Sequence, residues 1–376
     1  MIRKNKTVYV LGAGFSLGVT DDLGKRIMPT QENLIKYIVH NQTNFQNEFD
    51  HFKDFMINTM NIPESKIGNV PLEDIFTPLD KCINDGASFR DRNVDDARNI
   101  REKINYLIGA TLDVILRGDV KKDYINKFAK HITDLSFQRA DNQYSRFDPV
   151  SVISTNWDIL LDNAIKEYID TNYKSTFPRK GVVDYCCHLS SHSEHNHSIK
   201  PGLEMLGKGG FNVKLLKLHG SLNWLQCPRC NRLYVEFNTK IAINQYRDKD
   251  TCRHCDINFG KNDSHTLTSN LIMPTYVKNL SNAQYKLIWQ NAAIEISEAS
   301  KLVFIGYSLP QADFEMKQLL SRMVRSDAEI IVVDKGDSEI AGNIENTKKR
   351  YELFFGKSVK IHWQGVDEYV DNHLAS

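Results

Sequence analysis

The stretch from Lys301 to Asp334, KLVFIGYSLPQADFEMKQLLSRMVRSDAEIIVVD, carries the pattern of a βαβ unit. Two apolar, β-branched runs, Lys301–Ile305 and Glu329–Asp334, predict buried strands. Between them, a turn containing glycine and proline leads into an amphipathic helix over Gln311–Arg325. Parallel strands joined by crossover helices build a doubly wound sheet. This stretch therefore predicts an α/β fold with a Rossmann-like, doubly wound parallel sheet.

Three more strands extend the predicted sheet, and each runs into a group of small or polar residues. The strands and the segments after them are Thr7–Leu11 with Gly12-Ala13-Gly14-Phe15-Ser16, Val150–Ser154 with Thr155-Asn156-Trp157-Asp158, and Val213–Leu218 with His219-Gly220-Ser221. Open α/β sheets bind ligands at the carboxyl ends of their strands. We therefore predict a site where the three segments meet. Residues 172–212 show weak periodicity and are predicted to form loops.

The predicted domains follow from changes in periodicity along the chain. From Pro29 to about Ala129, apolar residues recur at helical spacing, which predicts a helical module inserted after the first strand. A cysteine-rich segment predicts a small ribbon. The expected boundaries are 1–30, 136–225 and 264–376 for the Rossmann-like domain, 31–135 for the helical insertion and 226–263 for the ribbon.

The composition is that of a globular protein with balanced charge. The 376 residues include 48 Lys and Arg against 47 Asp and Glu, a net charge of +1, so the bulk charge does not indicate a polyanion as partner and direct nucleic-acid binding stays open. No apolar run approaches the ~20 residues of a membrane span, and the amino terminus shows no signal-peptide cleavage site. Seven cysteines, an odd number, argue against a secreted disulfide framework. We expect a cytoplasmic protein that makes no membrane contact.

Four of the cysteines form a metal-binding pattern. Cys227 with Cys230, and Cys252 with Cys255, are two C-x2-C pairs separated by 21 residues. Each pair can place two sulfurs on one tetrahedral Zn²⁺. We expect a closed structural zinc held by these four cysteines, with a small β-hairpin in the spacer. His254 is an alternative ligand.

The Gly12-Ala13-Gly14 turn is half of a dinucleotide-binding fingerprint. Its glycines would let the backbone approach a pyrophosphate and offer N–H groups to it. A side chain at Gly14 is expected to block this approach without disturbing the core. Strand-to-helix turns also use glycine for structural reasons alone, and that interpretation stays open. The third glycine and the acidic residue of a reductase fingerprint are missing, which disfavours hydride transfer.

In chain order, these motifs resemble the sirtuin superfamily. The matching segments are GAGFS at 12–16, STNWD at 154–158, KLHGS at 217–221 with the cysteine ribbon directly after it, and IGYSLP at 305–310. Two segments depart from the protein deacylases, since Pro-Asp-Phe-Arg is missing after Gly14 and LIMPT at 271–275 replaces Phe-Gly-Glu. The chain therefore looks more like the bacterial sirtuin-like domains of anti-phage defence systems, which hydrolyse NAD⁺.

This resemblance implies NAD⁺ as the substrate and gives roles to single residues. Asn156 would orient the ribose or water, His219 would act as general base, and Asp158 would hold either partner. The NAD⁺-binding residues would be Gly12, Ala13, Gly14, Phe15, Ser16, Thr155, Gly306, Tyr307, Ser308 and Asp334. The resemblance also implies a homo-oligomer, or a complex with a HerA-type ATPase or another defence subunit.

Structural interpretations of the same residues stay open. These are a turn residue for Asn156, a helix N-cap for Asp158, a satisfied imidazole for His219 and a strand-terminating acid for Asp334. A solvated loop, rather than a second metal site, is our interpretation of His188, His192, His195 and His197. For the whole protein, the alternatives are an NAD⁺-dependent protein deacylase and a non-catalytic subunit that binds NAD⁺ or ADP-ribose.

Overall fold

Two sheets organise the chain in this computed structural model. The residues that the structure describes are 5–118, 120–141, 148–173, 180–193, 202–238, 240–335 and 341–374. Their strands are β1 Thr7–Leu11, β2 Val150–Ser154, β3 Gly181–Asp184, β4 Leu189–Ser191, β5 Phe211–Lys217, β6 Gly220–Gln226, β7 Leu233–Val235, β8 Thr268–Leu271, β9 Lys301–Ile305, β10 Glu329–Val333 and β11 Lys360–His362. Seven strands pair in parallel in the order β11-β10-β9-β1-β2-β5-β3, and four form a second sheet in the order β4-β7-β6-β8.

Helices connect these strands. They are α1 Ala13–Ser16, α2 Leu34–His40, α3 Gln46–Asp54, α4 Leu72–Asp85, α5 Val94–Ile115, α6 Asp123–Asp141, α7 Leu160–Asn172, α8 Gly202–Gly207, α9 Ile241–Asp248, α10 Arg253–Phe259, α11 Ala283–Glu298, α12 Phe314–Met323, α13 Ala341–Phe355 and α14 Val366–His373. Short 3₁₀ turns cover Gln42–Asn44, Glu64–Asn69 and Asp263–His265, and a π turn covers Phe55–Thr59. In the described part of the chain, no helix is both long enough and apolar enough to cross a membrane.

Helices cover both faces of the parallel sheet. Tyr9 of β1 packs its ring against Phe128 of α6, with ring centroids 5.0 Å apart. The next residue, Val10, is paired with Phe304 of β9, whose ring packs against Tyr351 of α13 at 5.3 Å. Successive side chains of a strand point to opposite faces, so α6 and α13 lie on opposite sides. The predicted doubly wound α/β fold is confirmed.

The βαβ unit of β9, α12 and β10 is confirmed with small differences at its ends. Strand β9 has the predicted bounds, and β10 ends one residue earlier, at Val333. Helix α12 is shorter than the predicted helix, because a turn in which Asp313 N–H donates to the carbonyl of Pro310 precedes it. At its other end, Val324 already has extended backbone angles.

The segment between β1 and β2 is helical, as predicted. Its longest helix, α5, starts at a capping box in which the Asn93 side chain accepts from the N–H of Asp96 and the Asp96 carboxylate accepts from the N–H of Asn93. Helix α6 packs on the sheet, where Phe137 meets Phe211 of β5 with centroids 5.5 Å apart. The boundary predicted at residue 135 falls inside α6, and the domain boundaries as a whole stay predictions.

The prediction of loops over residues 172–212 is wrong where β3, β4 and α8 lie. Strand β3 extends the parallel sheet through pairing with β5, for example Val183 with Val213. Strand β4 joins the second sheet through pairing with β7. Both strands are four residues or shorter, so neither shows enough periodicity in the sequence to be separated from a loop.

Six of the seven strands of the parallel sheet end at the same level, because β11 also ends at His362, the residue paired with Val333. The register aligns Val333 of β10, Ile305 of β9, Leu11 of β1, Ser154 of β2 and Lys217 of β5. Backbone hydrogen bonds continue one residue further, as where Thr155 N–H reaches Leu11 O at 3.0 Å and Leu218 N–H reaches Ser154 O at 2.9 Å. The segments after these strands therefore emerge side by side along one edge, which we call the carboxyl edge.

At the centre of the carboxyl edge, the turns after β1 and β9 pack backbone against backbone. A Cβ atom added to Gly12 would lie 2.5 Å from Gly306 O, and one added to Gly14 would lie 2.5 Å from Gly306 Cα. Gly306 itself has a φ of +59°. The expectation that a side chain at Gly14 would leave the core undisturbed is wrong, because these glycines are needed for the fold itself.

We predict that Gly14→Ala lowers the free energy of unfolding by about 1–3 kcal/mol, the usual range for overpacking. The control is Gly207→Ala in α8, where an added Cβ meets no atom within 4 Å. Urea denaturation followed by circular dichroism measures both variants. Equal midpoints for Gly14→Ala and Gly207→Ala would contradict the packing argument.

Candidate functional site

The carboxyl edge brings Asn156 and His219 to equivalent positions on neighbouring strands. Ser154 and Lys217 are paired in the register of β2 and β5, and Asn156 and His219 each follow two residues later. Asn156 is 9% exposed, and the side chain of His219 is 13% exposed. Both side chains are therefore fixed by the protein while keeping some access to solvent.

Ser16 links Asn156 to Asp158. The Ser16 hydroxyl donates to Asp158 Oδ2 at 2.8 Å and accepts from Asn156 Nδ2 at 3.4 Å. All three residues are buried. The other oxygen of Asp158 accepts from the N–H of Leu160 at 3.2 Å, at the start of α7. Three predicted site residues therefore meet in one chain of hydrogen bonds, and Asp158 also supports the helix start.

A buried lysine that was not identified from the sequence holds the segment of Asn156 and Asp158 in place. Lys217, at the end of β5, donates from Nζ to the backbone carbonyl of Asp158 at 2.6 Å and to Asp162 Oδ2 at 3.1 Å. Tyr185 donates to Asp162 Oδ1 at 2.6 Å. A buried charge is tolerable only when it is paired and hydrogen-bonded, and both conditions hold here. This ion pair fixes the segment that carries Asn156 and Asp158.

His219 is hydrogen-bonded to a buried carboxylate. His219 Nε2 lies 3.2 Å from Asp313 Oδ1, and the Asp313 side chain is 4% exposed. Tyr307 donates to Asp313 Oδ2 at 2.7 Å, and Lys278 Nζ lies 3.4 Å from Oδ1. Burial opposes ionisation of Asp313, but its interactions with His219, and after them those with Lys278 and Tyr307, hold the pKa of this carboxyl well below its usual range.

Asp313 and Lys278 were not identified from the sequence. Asp313 precedes α12 and resembles a helix N-cap, yet it makes no side-chain hydrogen bond to that helix. Its partner His219 lies 94 residues away in the chain. Only the folding of the segment after β9 across the carboxyl edge brings these side chains together.

The predicted dinucleotide turn lies at the carboxyl edge. The backbone N–H groups of its two glycines are hydrogen-bonded to the protein itself. Gly12 N–H donates to Ile305 O at 3.1 Å, and Gly14 N–H donates to Gly306 O at 2.9 Å. Phe15 turns its ring into the core, where it is 2% exposed and packs against Tyr124 of α6. The structure thus places the turn as predicted and gives its glycines and Phe15 a packing role.

The other predicted NAD⁺-binding residues lie on the same edge. Thr155 donates from Oγ1 to Leu11 O at 3.2 Å. Tyr307 is buried and accepts at its carbonyl from the hydroxyl of Tyr351, whereas Ser308 is exposed. Asp334 follows β10, and its Oδ1 accepts from the N–H of Lys335 at 2.8 Å. From β10 to β5 the edge covers four inter-strand spacings, about 19 Å.

The four predicted zinc ligands converge. Their sulfurs all lie within 4.8 Å of one another, with 3.8 Å between Cys227 and Cys255 and 3.8 Å between Cys230 and Cys252. Zn–S bonds of about 2.3 Å in a tetrahedron require S–S separations of about 3.8 Å. The cluster therefore fits a closed tetrahedral Zn²⁺ with no position left for a substrate.

The ribbon around this cluster differs from the predicted one in its spacer. Strands β6 and β7 form a hairpin around the first cysteine pair, and the second pair lies at the start of α10. The described residues of the spacer hold one strand, β7, followed by α9, so the prediction of a β-hairpin within the spacer is wrong. Tyr234 of β7 places its hydroxyl 3.1 Å from Cys252 Sγ, which supports a thiolate there.

The histidine group is only partly described. His195 and His197 lie outside the described residues. His188 is exposed, and His192 lies 3.5 Å from Asp250. Within the described ranges, the four cysteines are the one group of three or more potential ligands that converges as a metal site requires.

Comparison with known proteins gives only structural neighbours. No family model matches the chain, and no curated protein matches it significantly. Similar solved structures include a Sir2 mutant with a p53 peptide and NAD (13% identity, TM-score 0.35), a sirtuin from work on substrate affinity (14%, 0.36) and a mutant Sir2 homologue with ADP-ribose (11%, 0.38). Each alignment covers 98% of this chain and 91% of the other. At these scores the likeness carries no argument, so the sirtuin relationship stays a prediction from the motifs.

We predict about one Zn²⁺ per chain in the purified protein. Replacing Cys227 and Cys252 together by serine should abolish the metal and destabilise the ribbon, because structural zinc contributes on the order of 10 kcal/mol to such folds. Metal analysis and thermal unfolding are the measurements. Cys82→Ser is the control, since Cys82 contacts Ser88 and not the cluster. A soluble, metal-free double variant with the wild-type midpoint would refute the assignment.

Proposed function

We propose that the chain is an NAD⁺ glycohydrolase that converts NAD⁺ and water into ADP-ribose, nicotinamide and a proton. The observation that carries this proposal is that Asn156 and His219 stand at equivalent positions on the carboxyl edge, each two residues beyond the paired residues Ser154 and Lys217. A polar amide and an imidazole at adjacent strand ends can act on one reacting centre.

The proposed reaction needs one oriented water and one base. The bond between ribose C1′ and the nicotinamide nitrogen breaks, and nicotinamide leaves as a neutral ring with the electron pair. A water oxygen bonds to C1′, and its proton passes to His219. Asn156 orients the water or the ribose hydroxyls, while the carboxylate of Asp158 stabilises the positive charge that develops on the ribose.

The length of the carboxyl edge suits an extended dinucleotide. His219 and Asn156 lie towards its β5 end, and Asp334 lies at β10, about four strand spacings away. In this arrangement Asp334 accepts from the adenosine ribose hydroxyls. Ser308, exposed beside Gly306, borders the middle of the edge.

The motif resemblance extends the proposal to a biological role. We propose that the enzyme depletes NAD⁺ during bacterial anti-phage defence, because the segments typical of protein deacylases are replaced in this chain. We further propose that it acts in the cytoplasm as a homo-oligomer, or with a HerA-type ATPase or another defence subunit that controls it.

We predict that Asn156→Ala and His219→Ala each reduce NAD⁺ cleavage by at least ~10²-fold while the protein stays folded. The two losses should be strongly non-additive, because the residues act on one step. Asn58→Ala and His188→Ala are matched controls on exposed side chains. Chromatographic analysis of nicotinamide and ADP-ribose gives the rates. A folded His219→Ala enzyme with the wild-type rate would end this assignment.

The same assay separates the alternatives when it is run with and without an acylated peptide. Free ADP-ribose without peptide supports the glycohydrolase, O-acyl-ADP-ribose with peptide supports a deacylase, and unchanged NAD⁺ supports a binding subunit. Expression with the activating partner should deplete cellular NAD⁺ and arrest growth. Expression of Asn156→Ala or His219→Ala under the same conditions should do neither.

A further inference from the structure

We propose that Asp313 is a positioning residue for His219. Its carboxylate holds the imidazole proton on Nε2 and leaves Nδ1 as the nitrogen that accepts a proton. The tautomer follows from the hydrogen bond to Asp313 and from the charged surroundings of that carboxylate, whereas the use of Nδ1 as the base rests on the proposed function.

The hydrogen bond between the two residues decides the tautomer. His219 Nε2 lies 3.2 Å from Asp313 Oδ1. An ionised carboxylate can only accept hydrogen bonds, so Nε2 must be the donor. In a neutral imidazole the other nitrogen then carries the lone pair. The His219 side chain is 13% exposed, so it keeps some contact with solvent.

The surroundings of Asp313 keep it ionised and in place. Lys278, whose side chain is 1% exposed, lies 3.4 Å from Oδ1, and Tyr307 donates to Oδ2 at 2.7 Å. Lys278 also donates to the carbonyl of Ala312 at 2.6 Å and to Glu315 Oε2 at 2.7 Å. Both carboxylate oxygens of Asp313 therefore have partners, and these contacts fix the orientation of the side chain.

The side chain of Asp313 has no separate task in the helix that it precedes. It stands at the N-cap position of α12, where aspartate usually accepts from backbone N–H groups, but it makes no such bond. Its hydrogen bonds go to His219 and Tyr307 instead. Because Tyr307 follows Gly306 directly, the turn that packs on the β1 loop also sets the position of this carboxylate.

Nitrogen NMR of the histidine rings tests the tautomer without reference to activity. In wild-type protein labelled with ¹⁵N-histidine, at a pH where the ring is neutral, the His219 signals should show a protonated Nε2 and an unprotonated Nδ1. Loss of these signals in His219→Ala assigns them among the 12 histidines. A neutral wild-type ring protonated on Nδ1 would overturn the proposal.

Variants test whether the carboxylate matters for the reaction. Asp313→Asn should mix the two tautomers and lower kcat by at least ~10²-fold, with little change in KM or in ADP-ribose affinity. Tyr307→Phe keeps the carboxylate, so it should retain the Nε2–H form and lose less of kcat. This variant can be measured even if Asp313→Asn does not fold. Asp327→Asn, whose carboxylate pairs with Arg325, is the control and should match the wild type.

The two proposals fail in different ways. Unchanged tautomer and kcat in Asp313→Asn would overturn the role of Asp313 even if NAD⁺ is hydrolysed. A wild-type protein that shows the Nε2–H form, loses it in Asp313→Asn and does not cleave NAD⁺ would support the positioning of His219 and contradict the glycohydrolase.

Discussion

Backbone packing between the turns after β1 and β9 is the constraint on which the carboxyl edge depends. Gly12 and Gly14 approach Gly306 so closely that any Cβ atom there would overlap the opposite backbone. This contact fixes the course of the chain beyond Gly306, and with it Tyr307 and Asp313. Because Asp313 is hydrogen-bonded to His219, the same backbone contact also influences the position of His219. Packing at the centre of the sheet thus helps to set the geometry of the proposed base.

Buried charges hold the two halves of the site. Lys217 with Asp162 supports the segment that carries Asn156, and Lys278 with Asp313 supports His219. Removing charges from water is costly, and the cost is offset here because each group has an opposite charge and further hydrogen bonds. Such clusters tolerate few alternative geometries. The fold itself therefore holds the side chains of the candidate site in place.

Strand β6 connects the candidate site to the cysteine cluster. His219 directly precedes β6, and Cys227 directly follows that strand. The carbonyl of His219 also accepts from the N–H of Ile272 at 2.9 Å, just beyond β8. A metal bound by the four cysteines would hold the ribbon together and would thereby also support the backbone of His219, although the cluster itself takes no part in the proposed chemistry.

Local patterns in the sequence were sufficient for β1, β2 and β9, whose bounds match the prediction, and for the converging cysteines. Buried parallel strands appear in the sequence as apolar runs that end at turn residues, and the spacing of paired cysteines indicates how their sulfurs converge.

The sequence could not reveal β3, Lys217 or Asp313, nor that the glycine turn packs against Gly306. A short edge strand such as β3 has little periodicity. The hydrogen bond of Asp313 to a partner 94 residues away leaves no signal in the local sequence. Those features were decided by tertiary structure, because only the register of the parallel sheet brings distant strand ends to one edge.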